Sequence, residues 1–139
     1  MPNFSPEPDF SVLVNHLCRR MKEDLIGVYL YGSFACGEAR PESDVDLAIL
    51  ASRPIPRETL YQLALELMEL CGREVDLVDL RQIPTVLAMQ VISTGKRLFC
   101  RDLFACELFA THVFSDYVDL NERRAGILED IRRRGSVYG

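Results

Sequence analysis

From Asp9 onward, apolar residues recur at three- and four-residue intervals: Phe10, Leu13, Val14, Leu17, Cys18 and Met21. That spacing lines one face of a helix. Asp9 is a suitable N-cap, because its carboxylate accepts first-turn N–H groups that have no partner inside the helix. Residues 26–31 (Ile-Gly-Val-Tyr-Leu-Tyr) are β-branched and aromatic and predict a strand. Gly32 and Ser33 end it, and a loop or short helix runs on to Pro41. Residues 43–50 predict a second strand, with Val45, Leu47 and Ile49 on one face. Pro56 suits the first position of the next helix, where a missing N–H costs nothing. Leu60, Leu63, Ala64, Leu67, Met68 and Leu70 form its apolar stripe, and Gly72 ends it. Residues 74–80 predict a third strand, Pro84 and Gly95 frame a third helix, and residues 96–100 predict a short fourth strand. From Asp102 a helical pattern runs towards Arg134, with Gly126 as an expected break.

The order α-β-β-α-β-α-β-α predicts a small α/β (α+β) fold, a mixed sheet of about four strands with helices packed mainly on one face. At 139 residues the chain has the size of one domain. Residues 1–139 are therefore expected to form a single domain, with the proline-rich residues 1–8 as a flexible lead-in and 102–134 as a C-terminal helical segment. Hydrophobic residues make up 48% and charged residues 27%, which excludes a disordered chain. No apolar run approaches the ~18–20 residues that a membrane span needs. The first ten residues have neither a basic start nor an apolar stretch, so no secretory signal is expected.

Charge narrows the partners. The formal net charge is −5, which makes nucleic acid a poor main partner, since that affinity comes mostly from Lys and Arg displacing counterions. Residues 121–139 nevertheless carry five arginines against Glu122, Glu129 and Asp130, a net of +2 that leaves −7 on residues 1–120. Those arginines read as a solvated helix end complementing the macrodipole, with docking of an acidic partner as the alternative. The cysteines (18, 36, 71, 100 and 106) are odd in number, scattered, and lack a C-x-x-C pair. Free thiols in a reducing cytoplasm are expected, not a disulfide framework or a zinc site. His16 and His112 are isolated and read as helix-face residues.

The chemistry concentrates in residues 32–46. Gly32-Ser33 follows an apolar strand, and after ten residues comes Asp44-Val45-Asp46. Two aspartates spaced by two on a strand leave the same face, with Cα atoms about 6.5–7 Å apart. They can converge on one metal or a pair, and oxygen ligands favour Mg²⁺ or Mn²⁺. A glycine turn lets backbone N–H groups approach a phosphate, and the Ser33 hydroxyl adds a donor. A helix starting at 33–38 would add its dipole. A third carboxylate is expected from residues 74–80. Asp76 and Asp79 lie there on opposite faces, so only one can join, and alternation alone does not choose between them. Residues 40–43 read as a turn.

These features resemble the minimal nucleotidyltransferases of the DNA polymerase beta superfamily. The likeness extends over nearly the whole chain to the MNT-domain antitoxins of HEPN/MNT toxin–antitoxin pairs. It is carried by YLYGSFACGEARPESDVDLAIL, REVDLVDLRQIP and TGKRLFCRDLFACELFATHVFSDYVDL. The resemblance implies that Asp44, Asp46 and Asp76 bind Mg²⁺ at two sites, with Asp76 helping to activate the attacking hydroxyl. It implies that Gly32 and Ser33 hold the phosphates of ATP. It also implies transfer of AMP to a tyrosine of a partner HEPN ribonuclease toxin, silencing it. Cys36 stands where many relatives carry arginine. Two other readings compete: an antitoxin that blocks its toxin without catalysis, and a small-molecule nucleotidyltransferase of the aminoglycoside-modifying type. Adenylyl transfer is favoured over blocking by the presence of Gly-Ser and every candidate carboxylate, because clustered carboxylates without a cation repel and a degenerate site would be expected to have lost one.

Overall fold

The computed structural model describes residues 7–134, so most of the expected lead-in lies outside the described residues. Helix α1 spans Phe10–Met21, and the Asp9 side chain accepts from the Ser11 N–H at 3.1 Å. Strand β1 is Leu25–Tyr31, β2 is Val45–Ala51, α2 is Arg57–Cys71, β3 is Val75–Asp79, α3 is Thr85–Thr94, β4 is Lys96–Cys100 and α4 is Leu103–Arg134. The sheet order is β3-β2-β1-β4. Strand β1 runs antiparallel to β2 and β4, whereas β2 and β3 are parallel and joined by the α2 crossover.

Helices cover both faces of the sheet, where the sequence predicted mainly one. On one face, Leu13 and Leu17 of α1 and Leu63 and Leu67 of α2 pack against Val28, Leu30, Val45, Leu47 and Ile49. On the other, Ala88 and Val91 of α3 and Cys106 and Val113 of α4 pack against Tyr29, Tyr31, Ala48 and Leu50. The reason is in the central strands. Nearly every position of β1 and β2 is apolar, so neither strand has a face to give to water. Asp46 is the single polar side chain in β2, and it stands out for that reason.

Helix ends follow the expected punctuation. Gly72 takes left-handed backbone (φ 68°), and its N–H donates to the Met68 carbonyl at 2.8 Å. Pro56 sits one residue before α2, as its N-cap, and does not begin it. The break expected at Gly126 is absent, and α4 runs through it continuously. A single glycine costs a helix only about 1 kcal/mol, less than 32 residues of continuous hydrogen bonding recover. None of the five cysteines forms a disulfide. Among the described residues no helix is long and apolar enough to cross a membrane.

His16 helps tie α1 to α2. Glu66 Oε1 lies 2.6 Å from His16 Nε2 and accepts from Arg20 Nε at 2.8 Å. Hydrogen bonding from Arg20, then from His16, holds the Glu66 carboxyl down to about 2. A depressed carboxylate stabilises the fold fully above its ordinary value of 4.5, and that stabilisation is lost as pH falls through about 2. Glu66→Gln is therefore expected to lower stability at pH 7 by about 1 kcal/mol, solvent screening holding the loss to that level. Urea unfolding of both proteins should show the gap narrowing from pH 4.5 towards pH 2.

Candidate active site

Strand β1 ends by delivering Tyr31 and then Gly32, whose backbone is left-handed (φ 74°). A single 3-10 turn follows over Gly32–Phe34, and the Gly32 carbonyl accepts from the N–H groups of Ala35 (3.1 Å) and Cys36 (3.3 Å). Of the two alternatives, loop or short helix, the segment takes this one 3-10 turn and then loop, and no α-helix starts at 33–38. Gly37 is also left-handed (φ 76°), and the Glu38 N–H closes back on the Ser33 carbonyl at 3.0 Å, which turns the chain away. No long helix dipole therefore acts here, and phosphate donors would come from the turn's own backbone and the half-buried Ser33. The exposed Cys36 thiol contacts the Gly32 carbonyl at 3.2 Å and brings no positive charge.

Three side chains stand in a row across the sheet. Asp46 is paired with Tyr31 of β1 on one side and with Asp76 of β3 on the other. Neighbouring strands lie about 4.8 Å apart, so the two carboxylates share one face within reach of a common ligand. Asp44 lies just outside β2, contrary to the predicted strand start at 43. The parallel ladder opens at Val45, whose N–H donates to the Glu74 carbonyl at 2.9 Å, and residue 44 precedes any neighbour with which to pair. Asp44 is exposed, as is Asp76, while Asp46 is half-buried.

Electrostatics register the crowding. Burial pushes the Asp46 carboxyl above its ordinary range, and the charges of Asp76 and Asp44 push it further. Burial likewise raises the Tyr31 phenol, with added effect from Asp76 and Asp46, so Tyr31 stays protonated beside them. Among the described residues none of the three carboxylates enters a salt bridge. Nor do any three His, Cys, Asp or Glu side chains among them converge on one point as they stand. The donor set nonetheless fits a hard divalent cation. It is all oxygen, two members are in register, and positive charge would relieve the repulsion. Asp44 and Asp76 are exposed, so packing does not fix their side chains.

Asp79, the other candidate, faces the opposite side and is 1% exposed. Its Oδ2 accepts from the Ile55 N–H (2.8 Å) and Gln82 Nε2 (2.7 Å), and its Oδ1 accepts from the Arg81 N–H (2.9 Å). It holds the β2–α2 and β3–α3 loops together. Asp79→Ala is expected to cost about 2–3 kcal/mol, since it strands buried donors. Asp76→Ala should leave thermal unfolding nearly unchanged, and a pair of melting curves separates the two cases. In the sequence Tyr31 is only a strand residue, with nothing to mark it as part of the site. Its place beside Asp46 depends on antiparallel register, which no local signal gives.

A Gly-Ser turn set beside an aspartate-bearing central strand places the molecule in a known class. Residues 14–103 match the family described as Polymerase beta, Nucleotidyltransferase, and the chain belongs to that family. It is similar to protein adenylyltransferase MntA of Shewanella oneidensis, with 38% identity over 104 residues, 75% of this chain and 74% of that one. A solved toxin–antitoxin structure with AMP-PNP matches at TM-score 0.76 and 35% identity, over 87% of this chain and 97% of that one. A complex of tri-AMPylated S. oneidensis HEPN toxin with MNT antitoxin matches at TM-score 0.69 and 34% identity, over 86% of this chain and 92% of that one. The expected kinship with the MNT branch stands on these matches.

Proposed function

We propose that this chain is the antitoxin of a type VII toxin–antitoxin pair, a Mg²⁺-dependent protein adenylyltransferase of the cytoplasm. It moves AMP from ATP onto a tyrosine of its cognate HEPN ribonuclease and so silences it. The observation that carries the reading is the in-register pair Asp46–Asp76 beside the Gly32 turn, in a chain 38% identical to MntA.

The residues divide the work. The turn at Gly32–Phe34 offers backbone N–H groups, and Ser33 a hydroxyl, to the triphosphate. Asp44, Asp46 and Asp76 would hold Mg²⁺ at two sites, and the bound metal supplies charge neutralisation at the α-phosphate and the departing pyrophosphate. The tyrosine oxygen bonds to the α-phosphorus as the bridging bond to the β-phosphate breaks, and pyrophosphate leaves with the electron pair. Asp76, which is exposed, takes the tyrosine proton in this reading. Tyr31, protonated and buried, walls the row on its β1 side. Catalysis of this kind is mostly positioning, and an acceptor protein docked at the site supplies its own half of it.

The test mixes the chain with ATP, Mg²⁺ and the HEPN protein encoded beside it, and then weighs the partner intact. Added AMP together with lost ribonuclease activity is the expected result. Inhibition without any mass change would replace this reading with simple blocking. Transfer to an aminoglycoside and not to protein would replace it with the small-molecule activity.

A further inference from the structure

Arg73 follows Gly72 at the entrance to β3 and reaches three segments of the site at once. Its Nη1 donates to the carbonyls of Pro41 (2.6 Å) and Ser43 (3.2 Å), just before Asp44. Its guanidinium carbon lies 5.2 Å from the centre of the Phe34 ring, in the Gly-Ser turn. Three residues further along its own segment stands Asp76. The loop it holds has no regular structure, and its internal bonds, Arg40 N–H to Ser43 Oγ (2.7 Å) and Ser43 N–H to the Arg40 carbonyl (2.9 Å), are local. Asp44 has no strand partner of its own: the ladder that opens at Val45 holds the chain after it, and the loop that Arg73 holds carries the chain before it.

We infer that Arg73 is a positioning residue for the cation site, an inference that rests on the adenylyltransferase reading. Its Nη1 pins two carbonyls while the guanidinium face lies on Phe34, which fixes the Asp44 loop against both the phosphate turn and the strand of Asp76. Lysine cannot reproduce this, because an ammonium is a point charge without a stacking face. The far end of the sheet provides a matched control. Arg101 donates to the carbonyls of Leu25 (2.8 Å) and Lys22 (3.0 Å) and lies 5.4 Å from the Phe99 ring, at the other end of β1 from Gly32. Each arginine donates to two backbone carbonyls beside a phenylalanine ring, Arg73 through one nitrogen and Arg101 through two, but only Arg73 is next to the carboxylates.

Titration calorimetry of Mn²⁺ with AMP-PNP reads the effect on binding without turnover. Arg73→Ala should weaken binding by about 10- to 100-fold, the usual cost of losing a group that orients metal ligands. Arg73→Lys should fall between it and wild type, and Arg101→Ala should bind like wild type even if its melting temperature drops as far. In transfer assays Arg73→Ala should need more Mn²⁺ while approaching the wild-type kcat at saturation. Unchanged binding by Arg73→Ala, or equal weakening by Arg101→Ala, overturns the inference. Wild type that binds Mn²⁺ and AMP-PNP but transfers no AMP sinks the enzymatic reading alone, and wild type that binds neither sinks both.

Discussion

Asp44→Asn and Asp46→Asn are each expected to cut AMP transfer by about 10³-fold or more, because losing an anionic metal ligand removes several kcal/mol of transition-state stabilisation. The chain should stay folded. Neither carboxylate holds a salt bridge among the described residues, and the charge on Asp46 is disfavoured by burial first and then by Asp76 and Asp44. Its raised carboxyl means that ionisation costs the metal-free fold. That cost is absent below the ordinary value of 3.8 and complete once pH exceeds the raised value. Asp46→Asn without metal should therefore melt a few degrees higher than wild type at pH 7, with the advantage gone below pH 3.8. Intact-mass transfer assays and calorimetry across pH check both halves. A variant that loses transfer only because it unfolds would contradict the role assigned to the carboxylate.

Gly32→Ala is expected to damage both stability and transfer. A side chain in left-handed backbone costs roughly 1–2 kcal/mol. At Gly32 the added Cβ would also run into Asp46, whose Cγ lies 3.0 Å from the place it would occupy, with Oδ2 nearer still. Either the turn or the carboxylate must move, and an ångström of misplacement at a reacting centre can cost about 10²-fold in rate. Gly37→Ala separates the two effects. Gly37 has nearly the same φ (76°), but nothing lies within 4 Å of its added Cβ. The Gly37 variant should lose stability alone, while the Gly32 variant should lose about 10²-fold in transfer as well. Equal activities in the two variants would mean that contact with Asp46 does not matter.

The sequence by itself determined the order of elements, because 3.6- and 2-residue periodicity and the prolines and glycines between runs are local properties. Asp9, Gly72, Pro84 and Gly95 could be read as helix boundaries for that reason. It also showed the Gly-Ser turn and the Asp-x-Asp spacing, both contained in fifteen residues. The tertiary structure decided what depends on pairing between distant segments. Parallel register placed Asp76 beside Asp46 and buried Asp79 under the loops, a choice that alternation within one strand leaves open. Antiparallel register brought Tyr31 to the same row, and the fold of the β3 entrance set Arg73 against the loop that carries Asp44. Local spacing fixes which way a side chain faces along its own strand, but only the hydrogen-bond register between strands fixes which side chain it meets.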